Sequence, residues 1–263
     1  MKKRSLLLVN SLLVFSVLIM LWECVILVFH VPAFMLPDPL KVALAIAARP
    51  HDLLSSVLIT TEEALGGLIV SVVLGVLISL VLAQSSWIRR MFLPYIVLLQ
   101  TVPVIAITPL MIMWVGAGTT AVFLVTIIFC LPAIIANTTQ GLISVDENLV
   151  QLFLMHNASS WQILRKLRFP HSLPSLFVGM RIASGIAVIG AVTGELFAGS
   201  TSIGGGGLGY AIIYASSQLQ TDYLFALVMA SAVLGFAFFF TVMFFEWLFL
   251  HHWHESARAS QLD

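Results

Sequence analysis

Long apolar runs alternate with short polar joints along this chain. Six runs stand out, over about residues 6–29, 64–83, 92–114, 119–137, 174–198 and 223–250. A helix needs about 20 apolar residues to cross a bilayer core, and inside lipid it pairs all its own backbone groups. The runs far exceed the roughly 10-residue alternating segments of a membrane β-barrel. The pattern predicts an all-α, polytopic membrane helical bundle of about six transmembrane helices. The first run is too long for the roughly 7–15-residue apolar region of a signal peptide and reads as an uncleaved span. The fourth is the shortest and contains Pro132. Between the first two runs, Pro37-Asp-Pro39 forces a turn, and Leu40 to Ala48 reads as a short surface helix.

One polar joint, residues 144–174, is longer than a connection between spans requires. Ser144-Val-Asp-Glu147 matches a capping box, with Ser at the N-cap and Glu three residues on. A helix from about 145 should follow. Asn157 tolerates the left-handed conformation that ends helices. Ser159-Ser-Trp-Gln162 is a second capping box, so a second helix is expected from about 160 to 168, stopping before Pro170. Arg165, Lys166 and Arg168 suit its negative end. The expectation is a helix–elbow–helix with Trp161 near the elbow, a docking element for something outside the membrane. The competing reading is a pair of helices lying on the lipid surface.

Within the spans, small residues recur every fourth position: Gly67, Ser71, Gly75 and Ser79, then Gly179, Ala183, Ala187 and Ala191, with Glu195 next on that stripe. Such stripes let helix backbones approach closely in lipid. Glu195 is either a gate or coupling residue or an acid bonded to the Gly-rich turn expected over Ser200 to Gly209. Span three carries Gln100, Thr101, Pro103, Thr108 and Pro109. Each proline removes a backbone donor, and irregular backbone at membrane depth is tolerated where protein or a wet cavity lies beside it. Gln100, Thr101, Thr108 and Glu195 are therefore the pathway or gate candidates.

Composition agrees with a membrane class: of 263 residues 60% are hydrophobic and 9% charged, against roughly 25% charged in soluble domains. Charge placement fixes an orientation. With the N-terminus in the cytoplasm, six spans return the C-terminus there. Lys2, Lys3, Arg4, Arg89, Arg90, Arg165, Lys166, Arg168 and Arg258 then face the cytoplasm, Arg181 lies near that side, and Lys41 and Arg49 face outward. This is a strong positive-inside bias. Asn137 and Asn157 sit in glycosylation patterns but on that same cytoplasmic side. Net charge is zero, which leaves no basic footprint for nucleic acid. The seven histidines offer no credible metal set, and Cys24 and Cys130 read as small apolar residues. No Gly-x4-Gly-Lys-Ser/Thr is present, so the chain has no P-loop. Gly204 to Gly209 formally fits Gly-x-Gly-x-x-Gly, but between spans, where a dinucleotide motif has no strand to follow.

The loop resembles the Glu-Ala-Ala loop of binding-protein-dependent ABC transporter permeases. Asn157 stands at that motif's glycine, and Leu167-Arg-Phe169-Pro170 follows at the motif's spacing. Leu36-Pro-Asp-Pro39, Val102-Pro103 through Trp114-Val-Gly116, Ala158 to Lys166, Leu173-Pro174, Thr193-Gly-Glu-Leu-Phe197 and Gly207-Leu-Gly-Tyr210 are similar to the nitrate/sulfonate/taurine branch. The Glu-Ala-Ala positions hold Gln151, Leu152 and Phe153, which lose the charge and add bulk, so a partner's groove must be wider there.

The resemblance implies a single type I ABC importer permease-like domain over 1–263, with its core at 60–250 and a cytoplasmic coupling loop at 144–174. It implies contacts from Gln151, Leu152, Phe153, Asn157, Ser159, Trp161, Leu167, Phe169 and Pro170 to a cytoplasmic ATP-binding subunit that acts as a dimer. ATP-Mg would bind in that partner, with no cofactor in this chain. The other implied partners are a periplasmic or lipoprotein-borne solute-binding protein, a second copy of the chain as a homodimer, and membrane lipid. The setting is the bacterial inner membrane, multi-pass, with both termini cytoplasmic. The solute would be small: nitrate, sulfonate or taurine, or a vitamin precursor such as a pyrimidine. The alternative is a stand-alone secondary transporter or channel, which would call for ion-coupling polar groups near mid-membrane.

Overall fold

The computed structural model describes residues 2–198 and 206–251. Helices joined by short turns make up these residues. α1 (Lys2–Phe29) is followed by α2 (Pro39–Ala48), the expected short helix. Asp38 caps α2 by accepting from Leu40 N at 3.1 Å, and Pro39 opens it with a φ already suited to a helix. α3 (Pro50–Gln84) begins well before the apolar run at 64, because Pro50 starts the helix in the polar segment and Asp52 favours its first turn.

The third apolar run is not one straight span. It forms α4 (Ser86–Leu98), a 3-10 turn (Leu99–Thr101) and α5 (Val104–Val115), with the two helices bent by 101°. Pro103 is the physical cause. It has no N–H to continue the helix, and the residue before it, Val102, is pushed to an extended ψ of 128°. Pro94 and Pro109 are carried inside α4 and α5 without breaking them.

α6 (Thr119–Ile143), α7 (Glu147–Met155), α8 (Ser160–Ile163), a π turn (Leu164–Arg168), α9 (Phe169–Ala198), α10 (Leu208–Ser217) and α11 (Thr221–Leu250) complete the order. α10 is a helix where only a turn and a loop were expected. Most of the Gly-rich turn, residues 200–205, and the polar tail from 252 lie outside the described residues. Among those described, α3, α6, the run Ser160–Ala198 and α11 are long and apolar enough to cross a membrane, and the bent α4–α5 pair is a fifth when counted as one broken span.

The small-residue stripes set the packing. Ser71 Oγ lies 2.7 Å from Gly67 O in its own helix and 3.2 Å from Ile127 O in α6. Ser79 repeats this with Gly75 O at 2.7 Å and Ile135 O at 3.2 Å. The repeat shows that α3 and α6 run parallel. A Cβ on Gly67 would meet Thr126, and one on Gly75 would meet Ile134, so the glycines permit the close approach.

α9 runs antiparallel to α6. Gly194 lies against Val122, Gly190 against Thr126, and Gly141 against Ser172 and Ser175. Between them Cys130 Sγ reaches Ala183 O at 3.4 Å. Val125, Ile134, Ala183, Ala187 and Ala191 have no exposed surface. The centre of α3, α6 and α9 is thus filled with side chains.

α11 packs antiparallel on α9 through Phe177 and Phe249, whose rings are 6.1 Å apart. An ion pair, Arg181 Nε to Glu246 Oε2 at 3.1 Å, lies next to them. This topology brings Gln84, the α4 start, the 144–168 loop and the α11 C-terminus to one end. It brings α2, the α3 and α6 N-termini, Gly207–Gly209 and α10 to the other.

Candidate functional sites at the two ends of the bundle

At the loop end the first expected capping box does not form. Asp146, not Ser144, caps α7, accepting from Asn148 N at 2.9 Å. Ser144 is already committed to the preceding helix: its N–H bonds Gln140 O, and its hydroxyl donates to Gly141 O at 3.1 Å. The elbow is as expected. Asn157 has φ +54°, and the turn closes through Ala158 N to Phe153 O at 3.0 Å. The second capping box forms in full, with Gln162 N donating to Ser159 Oγ at 3.3 Å and Ser159 N to Gln162 Oε1 at 2.8 Å.

The second helix does not stop before Pro170. Residues 160–198 run on as one helical span. The π turn is the device that allows it. Phe169 N bonds Leu164 O five residues back, and Pro170, at the start of α9, has no N–H to add to the ladder.

Arg168 Nη1 donates to Ala83 O at 3.3 Å, tying this turn to the end of α3. Leu167, Phe169 and Pro170 are half-buried beneath it, as is Phe153, whereas Gln151, Leu152, Asn157 and Ser159 are exposed. Trp161 is 65% exposed. A cleft of about 580 Å³ opens here between Gln84, Val150, Leu154, Trp161, Leu164 and Arg168. Sequence reasoning missed Leu149, Leu154 and Met155, which are also exposed on α7. The signal was present in the amphipathic spacing of that nine-residue helix. An apolar surface of this kind, outside the bundle, suits contact with another molecule and equally the lipid surface, the two readings of this loop.

The pathway candidates are not brought together. Gln100 and Thr101 are exposed at the α4–α5 break, with Thr101 Oγ1 donating to Leu98 O at 2.7 Å. Thr108 is fully buried and donates to Val104 O at 2.9 Å, so its hydroxyl faces no opening.

Glu195 lies at the opposite end of the molecule from the loop, 3% exposed. It accepts from Gly209 N at 2.6 Å, so it is bonded to the turn as the second of its two readings expected. It is buried as well. Leu208 N donates to Thr60 Oγ1 at 2.8 Å. Beside Glu195 stands Glu63 of α3, 5% exposed, which sequence reasoning passed over because it falls one residue before the apolar run. The doublet Glu62-Glu63 at that border was the available sign. Among the described residues no group of three or more His, Cys, Asp or Glu could hold a metal ion.

Comparison with known proteins agrees with this geometry. Residues 71–249 match the family described as binding-protein-dependent transport system inner membrane component. The chain is 30% identical over 241 residues to a probable ABC transporter permease protein of Haemophilus influenzae, covering 92% of this chain and 95% of that one. It is 31% identical over 234 residues to the formylaminopyrimidine transport permease protein ThiX of Halalkalibacterium halodurans, covering 89% and 91%. It is 26% identical over 228 residues to the taurine transport system permease protein TauC of Escherichia coli, covering 84% and 81%. With two thirds of the chain inside the family match and the expected elbow formed, the protein belongs to the inner membrane components of binding-protein-dependent transport systems, as a multi-pass permease subunit of an ABC transporter.

Proposed function

We propose that this chain is one half of a homodimeric importer that passes a small organic solute inward, with residues 144–174 as the seat of a separate ATPase dimer. Permeases of this family work with an ATPase and a solute-binding protein. The observation that carries the site is the exposed apolar face of Leu149, Leu152, Leu154 and Trp161, fixed to the end of α3 by Arg168. A surface that must transmit force has to be joined to the spans it moves, and the Arg168 bond to Ala83 O is such a join. ATP-Mg would be bound and hydrolysed in the partner, and this chain would supply only the lever. Gln151 and Phe153 sit on the same helix and would enter the partner's groove, with Asn157, Ser159, Leu167, Phe169 and Pro170 holding the elbow in shape.

The orientation follows from charge. The parallel register of α3 and α6 gathers Arg89, Arg90, Arg165, Lys166 and Arg168 at the loop end, with Lys41 and Arg49 at the other. That favours a cytoplasmic loop end and a cytoplasmic C-terminus, and with α1 as a sixth crossing the N-terminus lies there too. A periplasmic or lipoprotein-borne binding protein would then approach α2, α10 and the start of α11. Because the centre of α3, α6 and α9 is filled, the solute path lies along a face of the bundle that a second copy would cover. Gln100 and Thr101, exposed at the break, are the groups on this chain best placed to meet it. The solute class rests on the relatives: the one named for formylaminopyrimidine is nearer in sequence than the one named for taurine. Relatives named for aliphatic sulfonates stand about as near, at 29% and 31% identity, so a vitamin-precursor-like heterocycle and a sulfonate both fit the class.

The test is a pull-down from mild detergent in the native host, comparing wild type with Trp161→Glu and Asn157→Pro. An ATP-binding subunit should co-purify with wild type and be lost with both variants. A wild type that brings down no ATPase overturns the coupling reading. Uptake of formylaminopyrimidine and of taurine into energised vesicles containing the assembled complex decides the solute class.

A further inference from the structure

We infer that Glu63 and Glu195 form a two-carboxylate proton site that latches the turn Gly207–Gly209, and with it α10, to the end of the bundle opposite the loop. The inference rests on this chain alone and stands whether or not the importer reading does. Its starting point is a hydrogen-bond deficit. Both acids are more than nine-tenths buried. Glu195 Oε2 accepts from Gly209 N at 2.6 Å, but its Oε1 has no donor. Glu63 has the same deficit at Oε2. The two side chains stand within reach of each other, with the Thr60 hydroxyl beside Glu195 and the Thr119 hydroxyl beside Glu63, and a hydrogen between the two acids would satisfy both unpaired oxygens. Two buried carboxylates in contact repel if both are ionised and bond if one proton lies between them.

The surroundings leave few other sources of compensation. α3 brings Glu62, which is exposed and of the same sign, and Thr60, whose hydroxyl accepts from Leu208 N and also stands beside the Glu195 carboxylate. α6 brings the hydroxyl of Thr119 beside Glu63. α9 brings Glu195 itself. α10 brings the Gly209 amide and Tyr210, whose ring lies over Gly206. Among the described residues no Lys, Arg or His pairs with either acid; the ion pair of α9 is at Arg181 and Glu246, toward the other end. The stretch 199–205 contains no titratable side chain.

The turn is built onto this pair. A Cβ on Gly207 would fall on the Glu195 carboxylate, and one on Gly209 on Val192 O, so the backbone lies directly against the acid. The pair therefore joins α3, α9 and the entrance to α10 at one point. With the proton present, the acid–carboxylate bond holds α3 to α9, and the Glu195 oxygen is free to accept from Gly209. On deprotonation two buried like charges face each other, and the cheapest relief is for Glu195 to turn toward water and release the turn. The latched state binds one more proton than the released state, so it is favoured by low pH and lost as pH rises.

The test is hydrogen exchange of the 206–217 segment in wild-type protein in nanodiscs, corrected for the intrinsic pH dependence of exchange. From the acid to the alkaline side of neutrality, exchange in wild type should accelerate by about tenfold or more, as expected when release of the turn is linked to the loss of one proton. Glu63→Gln supplies a permanent N–H donor to Glu195, and Glu195→Gln supplies one to Glu63 while its carbonyl still accepts from Gly209. Each single variant should keep the segment protected on both sides of neutrality. Infrared spectra of wild type should show a protonated-carboxyl band that disappears over the same pH range and is absent from both Gln variants.

Three results overturn the site: a wild type with no protonated-carboxyl band and no pH-dependent exchange, Gln variants that keep the wild-type pH profile, or a protection that follows sodium concentration instead of pH. If one Gln variant fails to fold, the other and the wild-type spectrum still decide.

Discussion

Arg168 reaches back from the loop to the carbonyl oxygen of Ala83, 3.3 Å away, near the last turn of α3. A cation on an otherwise unpaired helix-end carbonyl satisfies the backbone and complements the helix dipole. It also makes the loop and α3 move together. Arg168→Gln should lower stability by about 1 kcal/mol, a charged hydrogen bond discounted for partial exposure. ATPase activity of the assembled complex should become less responsive to solute, by a larger factor than the stability loss explains. Thermal unfolding and solute-stimulated ATPase rates, measured on the same preparation, separate the two effects.

Gly75 and Gly185 make a matched pair for testing the packing. A Cβ on Gly75 would lie 2.7 Å from Ile134, inside the α3–α6 contact, whereas one on Gly185 meets nothing within 4 Å. Gly75→Ala should force the helices apart and cost about 1–3 kcal/mol, the range for overpacking. Gly185→Ala should be neutral or stabilise by up to about 1 kcal/mol, because alanine is the better helix former. Unfolding in a fixed detergent checks both, and equal effects at the two sites would contradict the register described here.

Much of this was legible in the sequence because lipid leaves a chain few choices. The apolar runs had to be helices, and the Gly67–Ser79 and Gly179–Ala191 stripes had to face neighbours, which they do. The elbow at Asn157 and the Ser159–Gln162 box were readable because each is a local bond between near neighbours. What failed were competitions that local rules do not rank. Ser144 had two helices to serve and went to α6, leaving Asp146 to cap α7. Pro103 announced a disturbance, but not that α5 would leave at 101°. Pro170 looked like a stop and was absorbed by a π turn that forms only because α9 continues into the bundle. Glu63 gave no sign of meeting Glu195, since only the fold brings α3 and α9 together at that end.

Arg181 and Glu246 form the ion pair that joins α9 to α11 at 3.1 Å. Both side chains are partly exposed in the single chain, at 31% and 22%. Arg181→Leu leaves Glu246 as an unpaired acid in an apolar helix, and Glu246→Leu does the converse. Each should cost about 2–3 kcal/mol, near the scale for a lone charge in a membrane helix. Arg181→Leu combined with Glu246→Leu should recover most of the loss, because it removes both charges together. The double-mutant cycle on thermal stability measures the coupling, and additive losses would show that the pair does not hold the helices.

Asn157 allows the elbow to be tested without touching a span. Its φ of +54° lies in the left-handed region, where a side chain with a branched Cβ costs about 1–2 kcal/mol and glycine costs little. The turn it closes carries α7 onto α8 and sets the angle at which Leu152 and Trp161 face outward. Asn157→Gly should therefore keep both fold and ATPase binding. Asn157→Val should lower the protein's melting temperature by only a few degrees, since about 1–2 kcal/mol is spread over a chain of this size. Its ATPase binding should fall much further, by about tenfold, because the same strain is relieved by opening the elbow and moving the docking face. Co-purification of the ATPase with the three proteins, at matched expression, checks the order wild type, Gly, Val. If Asn157→Val binds the ATPase as well as wild type does, the angle of the elbow is not what the partner reads, and α7 alone is the docking element.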